Sequence, residues 1–175
     1  YAAFFGDDVR LQSEGTKAAD GRLNLSRLTV ETQALQLNGS LQLAPDGLPE
    51  RFDLTGALGI DGTPVVLPLT TEQRTAVTHA DLTLGFDAAK GEGWTADLRL
   101  TGLERADFTA REAVLTGSGT IGRPEGRAMA EGSFDFTATG LAPQDAALAK
   151  AVGDAITGAL QFRWQDGQDA LALPM

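Results

Sequence analysis

The 175-residue chain contains no cysteine and only one histidine, His79. Disulfide frameworks, thiolate metal clusters, zinc fingers and cysteine nucleophiles are therefore excluded. Basic residues are also scarce, because 14 Lys and Arg stand against 24 Asp and Glu and leave a net charge of -10. Since nucleic acids bind through clustered Lys and Arg, this balance predicts no nucleic-acid partner.

Long hydrophobic runs are missing too. The apolar stretch around Val65–Leu67 is interrupted by Pro64 and Pro68, and no segment approaches the about 18 residues of a transmembrane helix. Two prolines on the same side of a strand are tolerated only at an unpaired edge, so we expect the strand after Gly62 to be an edge strand.

Hydrophobic residues nevertheless make up 42% of the chain, which is enough for a folded core. We predict a single β-rich domain over residues 1–175. The sequence begins at Tyr1 rather than at a methionine, and its last residues still alternate like a strand. We therefore expect this domain to be a fragment of a longer protein.

Apolar and polar residues alternate along most of the chain. The pattern is clearest in residues 35–43 (LQLNGSLQL), and it recurs in residues 52–60, 82–86, 94–100, 115–121, 134–138 and 160–164. A period of two is typical of strands that turn one face to a core. The polar second face favours antiparallel strands, because parallel strands beneath helices are apolar throughout. The sequence therefore predicts an all-β, antiparallel fold.

Asn38–Gly39, Asp61–Gly62 and Asp166–Gly167 are candidates for two-residue hairpin turns. A turn at Asn38–Gly39 would mix apolar and polar residues on one face, so we expect the strand to continue through this pair. A turn at Asp61–Gly62 would place Leu58 opposite Val65 and keep one face apolar. Asp166–Gly167 passes the same test, and we predict hairpins at these last two pairs.

Glycine recurs inside the strand patterns, at Gly39, Gly56, Gly102, Gly117 and Gly119. Because glycine within a strand usually marks a bend or a bulge, these positions predict a strongly curled sheet. A β-sandwich or an open barrel whose corners need such bends explains them equally well.

One segment lacks the alternation. It runs from Pro143 to Ile156, is rich in helix formers, and places Leu148 and Val152 on one stripe. We predict one short helix near residues 143–156, packed against the sheet.

His79 is the only side chain expected to act as a general base near neutral pH, and Asp81 lies two residues away on the same strand face. No serine in an elbow motif accompanies this pair. We therefore predict no catalytic residues and no enzymatic activity, and we expect no cofactor and no metal ion.

Four segments resemble the TamB family of proteobacterial translocation and assembly module subunits. They are residues 1–6 (YAAFFG), 43–49 (LAPDGLP), 61–69 (DGTPVVLPL) and 145–153 (DAALAKAVG). This family belongs to the AsmA-like group and is related to bridge-like lipid-transfer proteins. The resemblance implies a β-taco, a sheet curled into a trough with an apolar inner wall, in a periplasmic protein anchored in the inner membrane.

The resemblance also implies phospholipid movement between the inner and outer membranes and outer-membrane protein assembly. The implied partner is an Omp85-type outer-membrane barrel, bound through other parts of the full-length protein. In a trough, phospholipid acyl chains would gain about 0.8 kcal/mol per buried CH₂. The predicted lining consists of Leu37, Leu41, Leu54, Leu58, Leu84, Phe86, Trp94, Leu98, Leu100, Phe134 and Phe136.

The sequence leaves two other functions open. A module of this kind could offer its sheet edge to strands of outer-membrane proteins, as a β-augmentation chaperone does. Alternatively, a closed β-sandwich or lipocalin-like barrel could hold a small ligand, and the predicted lining would then be a sealed core.

Overall fold

A computed structural model describes residues 8–59, 62–67 and 74–166. The elements within these residues are, in chain order, β1 (Arg10–Lys17), β2 (Leu23–Glu31), β3 (Leu35–Leu43), β4 (Pro49–Leu58), β5 (Val65–Val66), β6 (Thr75–Asp87), β7 (Gly93–Arg105), β8 (Phe108–Gly122), a 3-10 turn (Pro124–Gly126), β9 (Met129–Thr139), β10 (Ala142–Pro143), α1 (Ala146–Val152) and β11 (Ala155–Gln165). Neither helical segment has the length and hydrophobicity needed to cross a bilayer.

The strands form one open antiparallel sheet. Its order is β1-β2-β3-β4-β6-β7-β8-β9-β11, while β5 pairs with β6 and β10 pairs with β8. In the described part of the chain, β1 and β11 are the two edges and no pairing joins them. The predicted all-β antiparallel fold is confirmed. Because the described strands form a single layer, the β-sandwich alternative is wrong.

β3 runs through Asn38–Gly39 without interruption, as the alternation predicts. Gly39 lies opposite Leu54 of β4, and its Cα approaches the backbone of Asp53 so closely that an added Cβ would overlap the Asp53 carbonyl oxygen. The glycine therefore permits a close approach of two strands and does not form a turn.

The hairpin predicted at Asp61–Gly62 is wrong. β4 pairs with β6, so that Leu58 lies opposite Ala80 and not opposite Val65. β5 is also antiparallel to β6, and it therefore continues in the direction of β4. The chain leaves β4 at Gly59, which adopts φ = 70°. Parity alone could not exclude the hairpin, because both partners present an apolar residue to Leu58.

Some predicted features include residues outside the described ranges. The strand predicted to return after Asp166–Gly167 lies beyond residue 166. Ile60 and Asp61 of the first predicted hairpin and Pro68 of the predicted edge strand also lie outside these ranges. In the described residues β5 pairs only with β6, in agreement with the edge position predicted for it.

The helix is shorter than predicted, because α1 spans seven residues and not the whole of 143–156. It begins after Asp145, whose carboxylate accepts a hydrogen bond from the Leu148 backbone N–H at 2.8 Å and so satisfies a free donor of the first turn. It ends at Gly153, which adopts φ = 72°.

The residues on either side of α1 belong to the sheet. Pro143 lies in β10 opposite Phe108, and Ile156 lies in β11 opposite Ala138. No residue of α1 is buried, and Leu148 is exposed. Ala149 and Val152 are half-buried and the other residues of α1 are exposed, so the helix does not form the buried packing against the sheet that the sequence predicts.

An ion pair joins the ends of strands that are three positions apart in the curled sheet. Asp46 lies in the turn between β3 and β4, and its carboxylate pairs with the guanidinium of Arg123, which directly follows β8. With strands about 4.8 Å apart, a flat sheet would separate β4 from β8 by roughly 14 Å. The ion pair therefore joins the β3–β4 turn to the end of β8 across the β6–β7 turn.

Candidate functional site

The strand registers place all eleven predicted lining residues on one face of the sheet. Residues directly opposite one another in antiparallel strands share a face. Four rows cross the sheet from β3 to β9 or β11. The first contains Leu35, Leu58, Ala80, Leu100, Ala113 and Ala138; the second Leu37, Gly56, Leu82, Leu98, Leu115 and Phe136; the third Gly39, Leu54, Leu84, Ala96, Gly117 and Phe134; the fourth Leu41, Phe52, Phe86, Trp94, Gly119, Gly132 and Phe162.

These rows also contain apolar residues that the prediction left out. Phe52, Leu82, Leu115 and Phe162 share the face with the eleven. The same alternation runs through their strands and could have included them. Only Phe86 and Trp94 of the eleven are buried, with 5% and 7% of their surface exposed, and the other nine are half-buried.

The aromatic end of the face is held together by Trp94. Its indole Nε1 donates a hydrogen bond of 3.1 Å to the Glu131 carbonyl oxygen on β9, two strands away from β7. The ring centroid of Trp94 lies 5.5 Å from that of Phe134 and 5.7 Å from that of Phe162. One indole therefore bridges three strands and contributes to the curl.

Glycines beneath these rings make the arrangement possible. An added Cβ on Gly119 would lie 2.7 Å from Trp94 Nε1, and one on Gly117 would lie 3.0 Å from another indole atom. Gly132 makes a similarly close approach to the indole. At these positions the mid-strand glycines leave room for aromatic rings, which is a role different from the bends that the sequence predicts.

At its opposite end the face is lined by small residues. Ala110, Ala113 and Ala138 are buried there, with Leu100 and Leu103 packed against them. Gly102 separates the two leucines and adopts φ = 65°, a conformation that glycine reaches without strain. The face therefore changes from aromatic rings through leucines to alanines along the strand direction.

A cavity of about 350 Å³ lies beside the aromatic end. Leu48, Phe86 and Ile121 form apolar parts of its wall, and Glu50, Glu92 and Arg123 are also part of its lining. The cavity therefore lies on the apolar side of the sheet. Phe86, Trp94 and Ala96 are buried on this side without a second layer of described strands over them, while most side chains on the other face of the same strands are exposed, which identifies the apolar side as the concave one.

Asp46 forms an ion pair with Arg123, which lines this cavity. Desolvation raises its pKa, but the backbone N–H of Leu48 and the guanidinium of Arg123 donate hydrogen bonds to the carboxylate, and the Arg123 charge stabilises it further. The net effect is a pKa below the ordinary value of 3.8.

His79 lies outside the apolar face. Its Nε2 is 3.3 Å from a carboxylate oxygen of Asp81, and its Nδ1 is 3.4 Å from the Gly59 carbonyl oxygen. The predicted pair is thus formed, on the partly exposed side of β6. Across the described ranges 8–59, 62–67 and 74–166, no three His, Asp or Glu side chains are grouped so that they could hold a metal ion.

The two edges of the sheet differ in chemistry. β1 carries Arg10, Glu14 and Lys17 and has a register shift at Gly15, features that discourage pairing with another strand. β11 carries one charged residue among eleven, and its apolar side chains Ile156, Leu160 and Trp164 are exposed.

The fold and the site define an open, curled antiparallel sheet with an apolar concave face. Comparisons with protein-family models, with curated proteins and with solved structures find no match to this chain. The resemblance to the TamB family therefore stays a prediction.

Proposed function

We propose that the concave apolar face is a trough for the acyl chains of phospholipids, in a TamB-like protein that moves lipid between the inner and outer membranes. The observation that carries the proposal is the set of four apolar rows that crosses the sheet without a second layer over it. Proteins that are not bound to anything rarely expose contiguous apolar patches of more than a few hundred Å².

The energetics favour an acyl chain as the occupant. Each CH₂ that leaves water for the leucine-lined floor gains about 0.8 kcal/mol, and this gain needs no charged partner. A polar headgroup can remain in water at the open side. The net charge of -10 disfavours binding that depends on attraction to an anionic headgroup, so the tail supplies the affinity.

The proposal places the domain in the periplasm, within an inner-membrane-anchored protein, and it includes no catalytic step. Contact with an Omp85-type barrel is assigned to other parts of the full-length protein. Assembly of outer-membrane proteins would then depend on the same architecture, either through lipid supply or through direct contact with client strands.

Lipid recovery tests the trough. The chain would be purified from bacterial cells, and co-purified phospholipid would be quantified by mass spectrometry. Leu98→Asp puts a charge in the middle of the apolar face, between Leu82 and Leu115. We expect this variant and Leu84→Asp to retain less than about a tenth of the wild-type lipid, because burying an unpaired charge is strongly unfavourable.

The matched control is Thr95→Asp, which adds the same charge to the polar face of β7. It should retain wild-type amounts of lipid, and circular dichroism should show the same strand content for every variant. Equal lipid recovery from Leu98→Asp and Thr95→Asp would overturn the proposal.

A second candidate function is strand addition at β11, and the exposed apolar side chains of this edge favour it. Leu160 is 54% exposed on a strand with an unpaired side in the described residues. A client strand with alternating apolar residues could extend the sheet there and continue its apolar rows.

Peptide binding distinguishes this function from the trough. A fluorescent peptide with strict apolar alternation should bind the wild-type chain, while a scrambled peptide should not. One of two adjacent backbone N–H groups points outward along an edge strand, so either Ala159→Pro or Leu160→Pro should abolish the binding. If both proline variants bind as the wild type does, β11 is not the acceptor.

A further inference from the structure

One ion pair connects two strand ends of the curled sheet. The β3–β4 turn, which carries Asp46, and the end of β8, which Arg123 follows, lie at the same end of the strands on either side of the β6–β7 turn, and we call these two segments the rims of the aromatic end. Between these rims β4, β6, β7 and β8 form the floor. The pair therefore spans the concave face at its aromatic end.

Local hydrogen bonds hold both partners in place. The Asp46 carboxylate accepts a hydrogen bond of 3.2 Å from the Leu48 N–H, and the same turn is closed by the Ala44 N–H, which donates to the Leu48 carbonyl at 2.8 Å. Arg123 precedes the 3-10 turn, and its carbonyl accepts from the Gly126 N–H at 3.2 Å. Two ordered segments are thus joined, so the pair constrains the distance between them.

The pair also closes over apolar surface. Arg123 lines the cavity of about 350 Å³ whose walls include Leu48, Phe86 and Ile121. Ions in water-exposed pairs attract one another weakly and are screened by salt. Both side chains are exposed here, so the connection can open without a large cost.

We propose that the Asp46–Arg123 pair is a latch that narrows the aromatic end of the trough and opens reversibly. The first part of the proposal is that the ion pair holds the two rims together whether or not a ligand is bound. The second part of the proposal, that an entering acyl chain opens it, rests on the proposed lipid function.

Distance measurements test the latch directly. Because the chain has no cysteine, Pro45→Cys and Arg127→Cys introduce two unique sites for spin labels, one on each rim. Double electron–electron resonance should give a narrow distance distribution. Adding Arg123→Gln should widen the distribution toward longer distances, because the two segments then lose the contact that joins them. The control is Arg27→Gln, which removes the same charge from an ion pair with Glu14 at 2.9 Å between the neighbouring strands β1 and β2, and it should leave the distribution unchanged.

A charge swap separates the ion pair from other effects of the substitution. Asp46→Arg combined with Arg123→Asp should restore the narrow distribution. An unchanged distribution in Arg123→Gln would overturn the latch, because the aromatic cluster alone would then hold the rims together.

Lipid opening is measured on the same labelled chain with vesicles of phosphatidylethanolamine and phosphatidylglycerol. We expect the vesicles to widen the distribution in the wild type as Arg123→Gln does. Widening by Arg123→Gln without widening by vesicles would support the latch and refute its opening by lipid. Failure of the lipid function itself would appear separately, as an absence of co-purified phospholipid.

Discussion

The two tryptophans of the chain should contribute very differently to stability. Trp94 is 7% exposed, and Trp164, on the edge strand β11, is 37% exposed. Only for Trp94 do the described residues provide a hydrogen bond from the indole to a backbone carbonyl two strands away. We predict that Trp94→Ala destabilises the domain far more than Trp164→Ala does.

The expected difference follows from buried area and the hydrogen bond. The exposed fractions of Trp94 and Trp164 are 7% and 37%, a difference of 30 percentage points. For a side chain of up to about 250 Å² this is about 75 Å², or about 1.9 kcal/mol at about 25 cal/mol per Å². The hydrogen bond to Glu131 adds about 1 kcal/mol. Trp94→Ala should therefore lower the free energy of unfolding by about 3 kcal/mol more than Trp164→Ala.

Urea unfolding followed by far-ultraviolet circular dichroism measures this difference. With an m-value of about 2 kcal/mol per molar urea, the midpoints of the two variants should differ by roughly 1.5 M. Each variant keeps one tryptophan, so the fluorescence of Trp164→Ala reports the buried indole alone and should be blue-shifted. Equal midpoints would refute the reasoning that the indole of Trp94 holds the curled strands together.

Two further predictions concern the floor and the rim of the trough. Gly119→Val should cost about 3 kcal/mol in the same urea assay, because its Cβ would overlap the Glu131 carbonyl oxygen and also collide with the Trp94 indole. Gly93→Val, with the nearest atom at 3.9 Å, should change stability by less than about 0.5 kcal/mol, and similar losses in both would contradict this account. The lowered pKa of Asp46 means that its stabilising contribution is present above pH 3.8 and is lost as the pH falls through the depressed value. Carboxyl titration by nuclear magnetic resonance should give a midpoint below 3.8 that rises in Arg123→Gln, and an unchanged midpoint in that variant would be inconsistent with the ion pair.

Alternation predicts the face of each residue because it depends only on local geometry. Leu37, Leu98 and Phe136 belong to strands that are far apart in sequence, and the alternation alone places each of them on the apolar face, while the strand registers place them in one row. Strand partners are different, because both β5 and β6 offer apolar residues of suitable parity to β4. The choice between them depends on the backbone at Gly59, and no pattern in the sequence reports its φ.

Helix boundaries show the same separation between local and non-local information. Asp145 and Gly153 are recognisable cap residues, and they mark the ends of α1 correctly when read as such. The prediction of a longer helix rests on residue composition, and it therefore includes Pro143 and Ile156. Both of these residues pair with strands, which depends on the position of β8 and β9 in the sheet.

The sequence predicts that the sheet is curled, but it does not predict what causes the curl. Mid-strand glycines suggest bending, but a sandwich with the same glycines would have buried the same apolar residues between two layers. In the structure Gly119 and Gly132 lie beneath the Trp94 indole, so each missing side chain is replaced by an aromatic ring from another strand. Such rings cover the inner side of the sheet and contact one another across the strands. At this end they therefore bury apolar surface that a second layer would otherwise cover. The same cluster lies where the Asp46–Arg123 pair joins the rims, so the curvature and the narrowing act on the same end of the trough.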